Sequence, residues 1–309
     1  MIIDAHFHGY PKGLKPPLDG IIKKPVNIFD VDEYLKIMDQ YGIDLGVLSM
    51  PSGNPYSLDD REKSLDIAKL VNDTFAEVCQ KHPDRFKAFA HLPLKDPESC
   101  LKEMDRALGE MNLSGVCIPT NVGGESLDEE KFTPFFEEVN KRRTPIFMHP
   151  VNAPCDKRWQ RYSLPVRIVW LSESTLAIYS MVASGLFDRF PDFPFIVPHL
   201  GGLIHYYIDR LNRKSDDLIC LEAPEAYFKK FYYDTAGPVR GYAIKCACEF
   251  AGTTQVIFGT DYPFGEEGDE GFIAKTLRAM EEVDLNSEEK ELIYHKNIER
   301  ILGFEEGEK

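Results

Sequence analysis

Five polar residues that could perform chemistry stand at the ends of short apolar segments. His6 and His8 end the first segment, His149 and His199 end two later ones, and Asp261 follows the last. His6 and His8 are two residues apart, so on a β-strand both rings point to the same face. Three imidazoles and a carboxylate form a mixed nitrogen and oxygen ligand set, which suits zinc, manganese or iron(II) and leaves positions open for water or substrate.

The apolar segments alternate with amphipathic stretches along the whole chain. Eight strands are predicted at residues 1–8, 44–50, 86–93, 114–119, 145–150, 194–199, 231–235 and 255–261. Helical spacing of apolar residues predicts helices at 31–41, 62–81, 97–111, 129–142, 176–190, 203–213, 239–250 and 270–283. This alternation predicts an α/β protein, a single (β/α)₈ TIM barrel, with residues 1–309 as one domain.

A barrel explains why these polar residues stand at strand ends. Catalytic groups of such barrels come from the C-terminal ends of different strands, which meet at one mouth. We therefore expect the His6 and His8 pair to meet His149, His199 and Asp261, which belong to predicted strands 5, 6 and 8. One histidine at a strand end is usually a hydrogen-bonded core residue, but the joint occurrence of several favours a functional site.

Composition excludes several classes of partner. The formal net charge is −15, so phosphate backbones and anionic membrane surfaces are unfavourable partners. No apolar run approaches the ~18 residues that span a bilayer, and the N-terminus has no basic, apolar leader. None of the seven cysteines forms a Cys-x-x-Cys pair. We expect free thiols in a reducing cytoplasm, with no nucleic-acid or membrane partner.

Five segments of the chain resemble the amidohydrolase superfamily of metal-dependent barrel enzymes. Within it, the chain is similar to the branch that includes aminocarboxymuconate-semialdehyde decarboxylase and γ-resorcylate decarboxylase. The segments occur in the family's order at residues 3–8 (IDAHFH), 145–150 (PIFMHP), 184–191 (SGLFDRFP), 198–202 (PHLGG) and 259–264 (GTDYPF).

The resemblance assigns roles to the strand-end residues. It implies that His6, His8, His149 and Asp261 bind a single metal, with zinc as the first choice and manganese as the alternative. It implies an acid–base role for His199, and Asp261 is the other candidate to supply a proton. Some superfamily members hold two metals with a carboxylated lysine at the end of strand 4, where this chain has no lysine.

The resemblance also implies a reaction and its substrate contacts. The reaction would be non-oxidative decarboxylation of a small aromatic or unsaturated carboxylic acid, which makes the chain a carboxy-lyase. Arg210, Tyr162 and Phe264 are the candidate substrate-binding residues. Arg210 follows the strand-6 histidine by eleven residues, the interval at which a related decarboxylase carries an arginine that reaches across its dimer interface. A homodimer or higher homo-oligomer is therefore expected, although Arg210 could simply pair with Asp209 or Asp217.

Two other functions stay open on the sequence. The same residues could support a metal-dependent hydrolase of a lactone or amide, in which metal-bound hydroxide attacks a carbonyl. That reaction would generate an acid, whereas decarboxylation would consume one and release CO₂. A non-catalytic binding protein on a barrel is the third hypothesis, and freshly purified protein without metal would favour it.

Overall fold

Parallel strands in chain order form the centre of the molecule. The structure, a computed structural model, describes residues 1–12, 14, 30–50, 59–151, 161–237, 239–265 and 271–304. The strands are β1 (Ile3–His8), β2 (Leu45–Ser49), β3 (Phe86–Ala88), β4 (Ala90–His91), β5 (Val116–Pro119), β6 (Ile146–His149), β7 (Phe195–Val197), β8 (Tyr232–Asp234) and β9 (Val256–Ile257). The predicted third strand, 86–93, is divided into β3 and β4 at Phe89. The Phe89 N–H bonds Leu48 in β2, and the next N–H bonds Gly115 beside β5.

The sheet order follows the sequence order. The strands β1 to β3 pair as one parallel sheet and β4 to β9 as another. The two ends of this series meet through backbone hydrogen bonds, from Ala5 N to Phe258 O at 2.9 Å and from His8 N to Tyr262 O at 2.8 Å. Parallel strands arranged in this way are the architecture of a (β/α)₈ barrel, here without one continuous hydrogen-bonded ladder around the ring.

Helices connect and cover the strands. They are α1 (Val31–Tyr41), α2 (Arg61–Lys81), α3 (Pro97–Asp105), α4 (Thr133–Arg142), α5 (Trp170–Ala183), α6 (Leu186–Arg189), α7 (Ile208–Leu211), α8 (Pro224–Phe228), α9 (Gly241–Ala251), α10 (Phe272–Glu282), α11 (Ser287–Glu291) and α12 (Asn297–Leu302). Local sequence sets their ends: the Asp30 side chain accepts two N–H groups at the start of α1, and Gly42 ends it at φ 68°. No described helix is long and apolar enough to cross a membrane.

One predicted helix is much shorter in the structure than expected. Residues 203–213 were predicted to be helical, but only Ile208–Leu211 form α7, and turns precede it. Gly201 and Gly202 adopt positive φ, which bends the chain immediately after β7. Tyr206 and Tyr207 are 79% and 54% exposed. Ile204, Ile208 and Leu211 still pack towards the core, but the turns that follow the two glycines shorten the helix.

An apolar floor lies next to the functional end of the strands. Phe89 and Phe147 stack with ring centroids 5.5 Å apart, and Phe147 also lies 4.9 Å from the His6 ring in an edge-on arrangement. Both phenylalanines are completely buried. The imidazoles at the strand ends therefore pack against a buried apolar surface, which restricts their rotation.

Candidate metal centre and active site

His6, His8, His149 and Asp261 come together as the sequence predicted. Each offers one ligand atom, and these four atoms all lie within 4.8 Å of one another in a buried cluster. The His6 and His8 Nε2 atoms are 2.9 Å apart. Asp261 Oδ1 lies 3.0 Å from His8 Nε2 and 3.4 Å from His6 Nε2.

The other nitrogen of each ring faces a hydrogen-bond acceptor. His6 Nδ1 lies 2.8 Å from Asp234 Oδ2. His8 Nδ1 lies 2.9 Å from Ser49 Oγ, and His149 Nδ1 lies 3.1 Å from the carbonyl oxygen of the next residue. These contacts favour a proton on each Nδ1, so that the three Nε2 lone pairs face the interior of the cluster.

This donor set fits one divalent cation. Two Nε2 lone pairs at 2.9 Å repel each other unless a proton or a cation lies between them. Three neutral imidazoles and a carboxylate are ligands that zinc and manganese accept. At the end of β5 stand Pro119 and Thr120, so the described residues provide no lysine there to bridge a second metal.

Burial and neighbouring charges divide the protons within the cluster. Burial lowers the pKa of His8 to about 4 and holds that of His149 well below its usual value. Burial acts in the same direction on His6, but the Asp234 and Asp261 carboxylates outweigh it and raise its pKa to about 10. Against burial, the adjacent rings of His199, His6 and His8 hold the pKa of Asp261 far below its usual range. Without a metal, a proton on His6 would therefore balance only one of the two carboxylates, and a divalent cation would take the place of that proton.

His199 stands beside this cluster. Its Nε2 lies 3.6 Å from Asp261 Oδ2, and its ring centroid is 5.1 Å from that of His6. It follows β7 with φ 53°, in a strained turn that continues with Leu200 at φ 51°. Its Nδ1 is buried without a hydrogen-bond partner among the described residues. The ring therefore faces the cluster and is available for contact with a bound molecule.

Of the three predicted substrate residues, one lies at the cluster. The Phe264 ring centroid is 5.7 Å from that of His8. Tyr162 is 75% exposed, and its hydroxyl accepts a hydrogen bond from Arg161. Arg210 is exposed on α7, and its guanidinium forms no hydrogen bond or ion pair with any described side chain, including Asp209 and Asp217. Within the described part of one chain, neither Tyr162 nor Arg210 contacts the metal cluster.

Three further residues at the site were not singled out from the sequence. Asp234 and Ser49 hold the rings of His6 and His8, and Trp170 lies 6.3 Å from His149 between ring centroids. Asp234 and Ser49 end β8 and β2, so the rule that identified the other strand-end residues also applies to them. Trp170 begins α5, six residues before the predicted start of that helix. Its position in the sequence gave no indication that it lies at the site.

Comparison with known proteins decides the family. The amidohydrolase family profile matches residues 3–304. The chain belongs to the amidohydrolase family. It is 30% identical to a γ-resorcylate decarboxylase of Rhizobium sp. over 253 residues, 75% of this chain and 76% of that protein. It is 32% identical to the 2-amino-3-carboxymuconate-6-semialdehyde decarboxylase of Dictyostelium discoideum over 245 residues, 77% of this chain and 68% of that protein.

Solved structures confirm the predicted barrel type. A 2,6-dihydroxybenzoate decarboxylase, solved in complex with 2,6-dihydroxybenzoate, matches 98% of this chain and 99% of its own, with a TM-score of 0.88 and 25% identity. A dihydroxybenzoic acid decarboxylase from Polaromonas sp., with bound manganese and 2-nitroresorcinol, matches 98% of this chain and 96% of its own at a TM-score of 0.88. Its identity is 22%, so it supports the fold alone. The relatives described above are all named as decarboxylases.

Proposed function

We propose that this chain is a metal-dependent, non-oxidative decarboxylase of a small aromatic carboxylic acid. The observation that carries the proposal is the convergence of three Nε2 atoms and the Asp261 carboxylate, with His199 beside them, in a chain of this family. Relatives named for γ-resorcylate and 2,6-dihydroxybenzoate support a hydroxybenzoate as the substrate class. We expect CO₂ as one product and the corresponding phenol as the other.

The residues of the chain would hold and orient the substrate over the cluster. His6, His8, His149 and Asp261 would bind the metal, which supplies a Lewis acid that fixes the carboxylate together with a neighbouring hydroxyl. Phe264, next to His8, offers an apolar wall for the ring. Trp170, next to His149, offers a second aromatic wall. Packing between these walls would exclude water from the reacting carbon.

The reaction needs one proton at the carbon that carries the carboxylate. Addition of this proton makes that carbon tetrahedral. Cleavage of its bond to the carboxylate then releases CO₂ and restores the aromatic ring. Asp261 Oδ1 faces the ligand histidines and its Oδ2 faces His199 Nε2. We therefore assign the proton donor to His199, oriented by Asp261, and Asp261 itself is the second candidate.

For the metal we propose zinc, because three imidazole nitrogens suit its borderline character. Manganese accepts the same ligands and is the alternative. Metal analysis of freshly purified protein distinguishes the two, and about one equivalent per chain is expected. Protein that is fully active after chelator treatment would exclude the metal-dependent proposal.

A substrate screen tests the reaction. Metal-replete protein is incubated with hydroxybenzoates and unsaturated dicarboxylates, and CO₂ release is followed together with the loss of substrate acid. His199→Ala protein with full metal content is the matched control. Release of CO₂ by the parent protein alone supports the proposal. Ring opening of a lactone or cleavage of an amide, with gain of acid and no CO₂, would instead identify a hydrolase.

We further propose that two copies of the chain share their active sites. Large apolar side chains near α7 are exposed in the single chain: Leu203, Tyr206, Tyr207, Ile219 and Leu221. Apolar surface of this kind marks a protein interface. The Arg210 side chain lies in the same segment without a partner among the described residues, and its guanidinium could bind a substrate carboxylate in the neighbouring copy.

We place the protein in the cytoplasm, since none of the six described cysteines forms a disulfide.

A further inference from the structure

Asp234 connects the metal ligand His6 to His199. Its carboxylate is completely buried at the end of β8, and its two oxygens have different partners. Oδ2 accepts a hydrogen bond from His6 Nδ1 at 2.8 Å. Oδ1 accepts the backbone N–H of His199 at 2.8 Å and that of Ala236 at 3.0 Å. We propose that Asp234 is a positioning residue that fixes the His6 tautomer and the His199 backbone at the same time.

The first half of this role concerns His6. An ionised carboxylate accepts hydrogen bonds and cannot donate them, so His6 Nδ1 must carry the proton and Nε2 must present its lone pair to the metal. The approach is close: a Cβ built on Gly259 would lie 2.7 Å from His6 Cβ and 3.2 Å from Asp234 Cβ. Glycine at this position therefore permits the strands to bring the carboxylate and the ring together.

The second half concerns the turn that carries His199. His199 and Leu200 both have positive φ, a conformation that L-residues rarely adopt and that persists only where surrounding contacts enforce it. The hydrogen bond from His199 N to Asp234 Oδ1 anchors the start of this turn. This backbone conformation directs His199 Nε2 towards Asp261 Oδ2, which lies 3.6 Å away. One carboxylate thus sets the position of the acid–base candidate relative to the metal ligands.

Asparagine at position 234 cannot serve both sides. If its NH₂ group faces His6, then Nδ1 must accept and the proton moves to Nε2, which can no longer bind metal. If its NH₂ group faces His199 and Ala236, it meets two N–H donors and displaces the turn. Asp234→Asn therefore preserves the shape of the side chain but must disturb one of the two functions.

Metal binding gives a test that does not depend on catalysis. Zn²⁺ affinity is measured by competition with a chelator, and the absorption spectrum is recorded with Co²⁺ in place of Zn²⁺. Asp234→Asn should weaken Zn²⁺ binding by about 10- to 100-fold and change the Co²⁺ spectrum. Glu103→Gln is the control, because Glu103 is equally buried but pairs with Asn72 and Arg106 outside the site. It should leave affinity within about twofold and the spectrum unchanged. The same result for Asp234→Asn would overturn the His6 half of the proposal.

The kinetic test rests on the proposed decarboxylation. If Asp234 acts partly through His199, then Asp234→Asn should reduce kcat by a smaller factor in a His199→Ala background than in the parent protein. Equal factors in both backgrounds would reject the His199 half. If the parent protein releases no CO₂, the proposed function fails, whereas the metal test still decides the role of Asp234 at His6.

A measurement on the unmodified chain covers the case in which Asp234→Asn does not fold. In Zn²⁺-loaded protein labelled with ¹⁵N-histidine, the His6 Nδ1–H proton should be observed and should exchange slowly with solvent. Loss of its signal in His6→Asn protein assigns it. A His6 ring with no protected Nδ1 proton would contradict the proposal without any change at position 234.

Discussion

At the residue scale, the chemistry depends on which nitrogen of each histidine is available. Hydrogen bonds to the Nδ1 atoms of His6 and His8 leave their Nε2 atoms directed at one point. Asp261 adds a carboxylate oxygen to the same point, and its second oxygen faces His199. In the proposed mechanism, metal binding and proton transfer therefore meet at Asp261, and substitutions at Asp261 and His199 should separate the two.

Asp261→Asn should lose metal without unfolding the barrel. Asparagine tolerates the positive φ of 69° that position 261 adopts, so the backbone is preserved while the anionic ligand is removed. Metal content after dialysis should fall well below one equivalent, and the thermal transition of the metal-free protein should stay close to that of the metal-free parent. Full metal content in this variant would show that Asp261 is not a ligand.

His199→Ala should keep its metal and lose rate. His199 is not one of the four clustered ligand residues, so metal binding does not require it. Removal of a general acid typically reduces kcat by about 10²- to 10⁴-fold. Metal analysis and steady-state kinetics on the same preparation check both parts. A turnover within a factor of two of the parent would leave His199 with a structural role only.

At the element scale, the site depends on how closely the end of β9 approaches β1. Gly259 follows β9, and an added Cβ would lie 2.7 Å from His6 Cβ. Gly259→Ala should therefore destabilise the protein by about 1–3 kcal/mol and weaken metal binding, because strands cannot yield to this contact without moving His6. Gly109→Ala is the control: its Cβ meets nothing within 4 Å. Urea unfolding of the metal-free proteins compares the two, and equal stability would contradict the crowding argument.

The pH dependence of stability offers a second test at this scale. His91 ends β4 and accepts the Met50 N–H at 2.9 Å, and burial lowers its pKa to about 3. Below pH ~6.5 the unfolded chain binds a proton that the folded chain excludes, so stability falls as the pH decreases. In His91→Gln protein this loss should be smaller by up to about 1.4 kcal/mol per pH unit. Urea unfolding at pH 7.5, 6.0 and 5.0 measures the free energy of unfolding of both proteins. If this free energy falls equally with pH in the two proteins, His91 is not the group responsible.

The sequence predicted the strands and metal ligands well because both follow from local patterns. Apolar runs indicated every predicted strand. His8 and His149 end β1 and β6, His6 lies two residues before the end of β1, and Asp261 follows β9. The α7 helix is shorter than predicted because Gly201 and Gly202 bend the chain after β7 and turns precede the helix. The hydrogen-bond partners of the histidine rings could not be predicted in this way. The contact between residues 6 and 234, for example, depends on how strands that are distant in the sequence meet in the fold.

At the scale of the whole molecule, an acidic protein must bind an acidic substrate. The net charge of −15 repels a carboxylate, and the site contains two buried carboxylates, Asp261 in the metal cluster and Asp234 hydrogen-bonded to His6. The metal offsets part of this negative charge. A further cation near the mouth would assist binding, and an arginine fork suits a carboxylate better than a lysine point charge does. Arg210 is the residue that the sequence suggests for this cation. Among the described residues of one chain, its guanidinium forms no ion pair.

Arg210 should complete the active site of a neighbouring copy. Arg210→Ala protein and His199→Ala protein should each be nearly inactive. In a mixed dimer, the site with an intact His199 would receive Arg210 from the other chain and regain both groups. Random exchange should therefore restore about one quarter of the parent activity, because half of the dimers are mixed and half of their sites are complete. The control is a pair of tagged parent chains, which shows that subunits exchange under the same conditions. If exchange occurs and no activity returns, Arg210 does not act across an interface, since a residue serving its own chain's site leaves every site in the mixture defective.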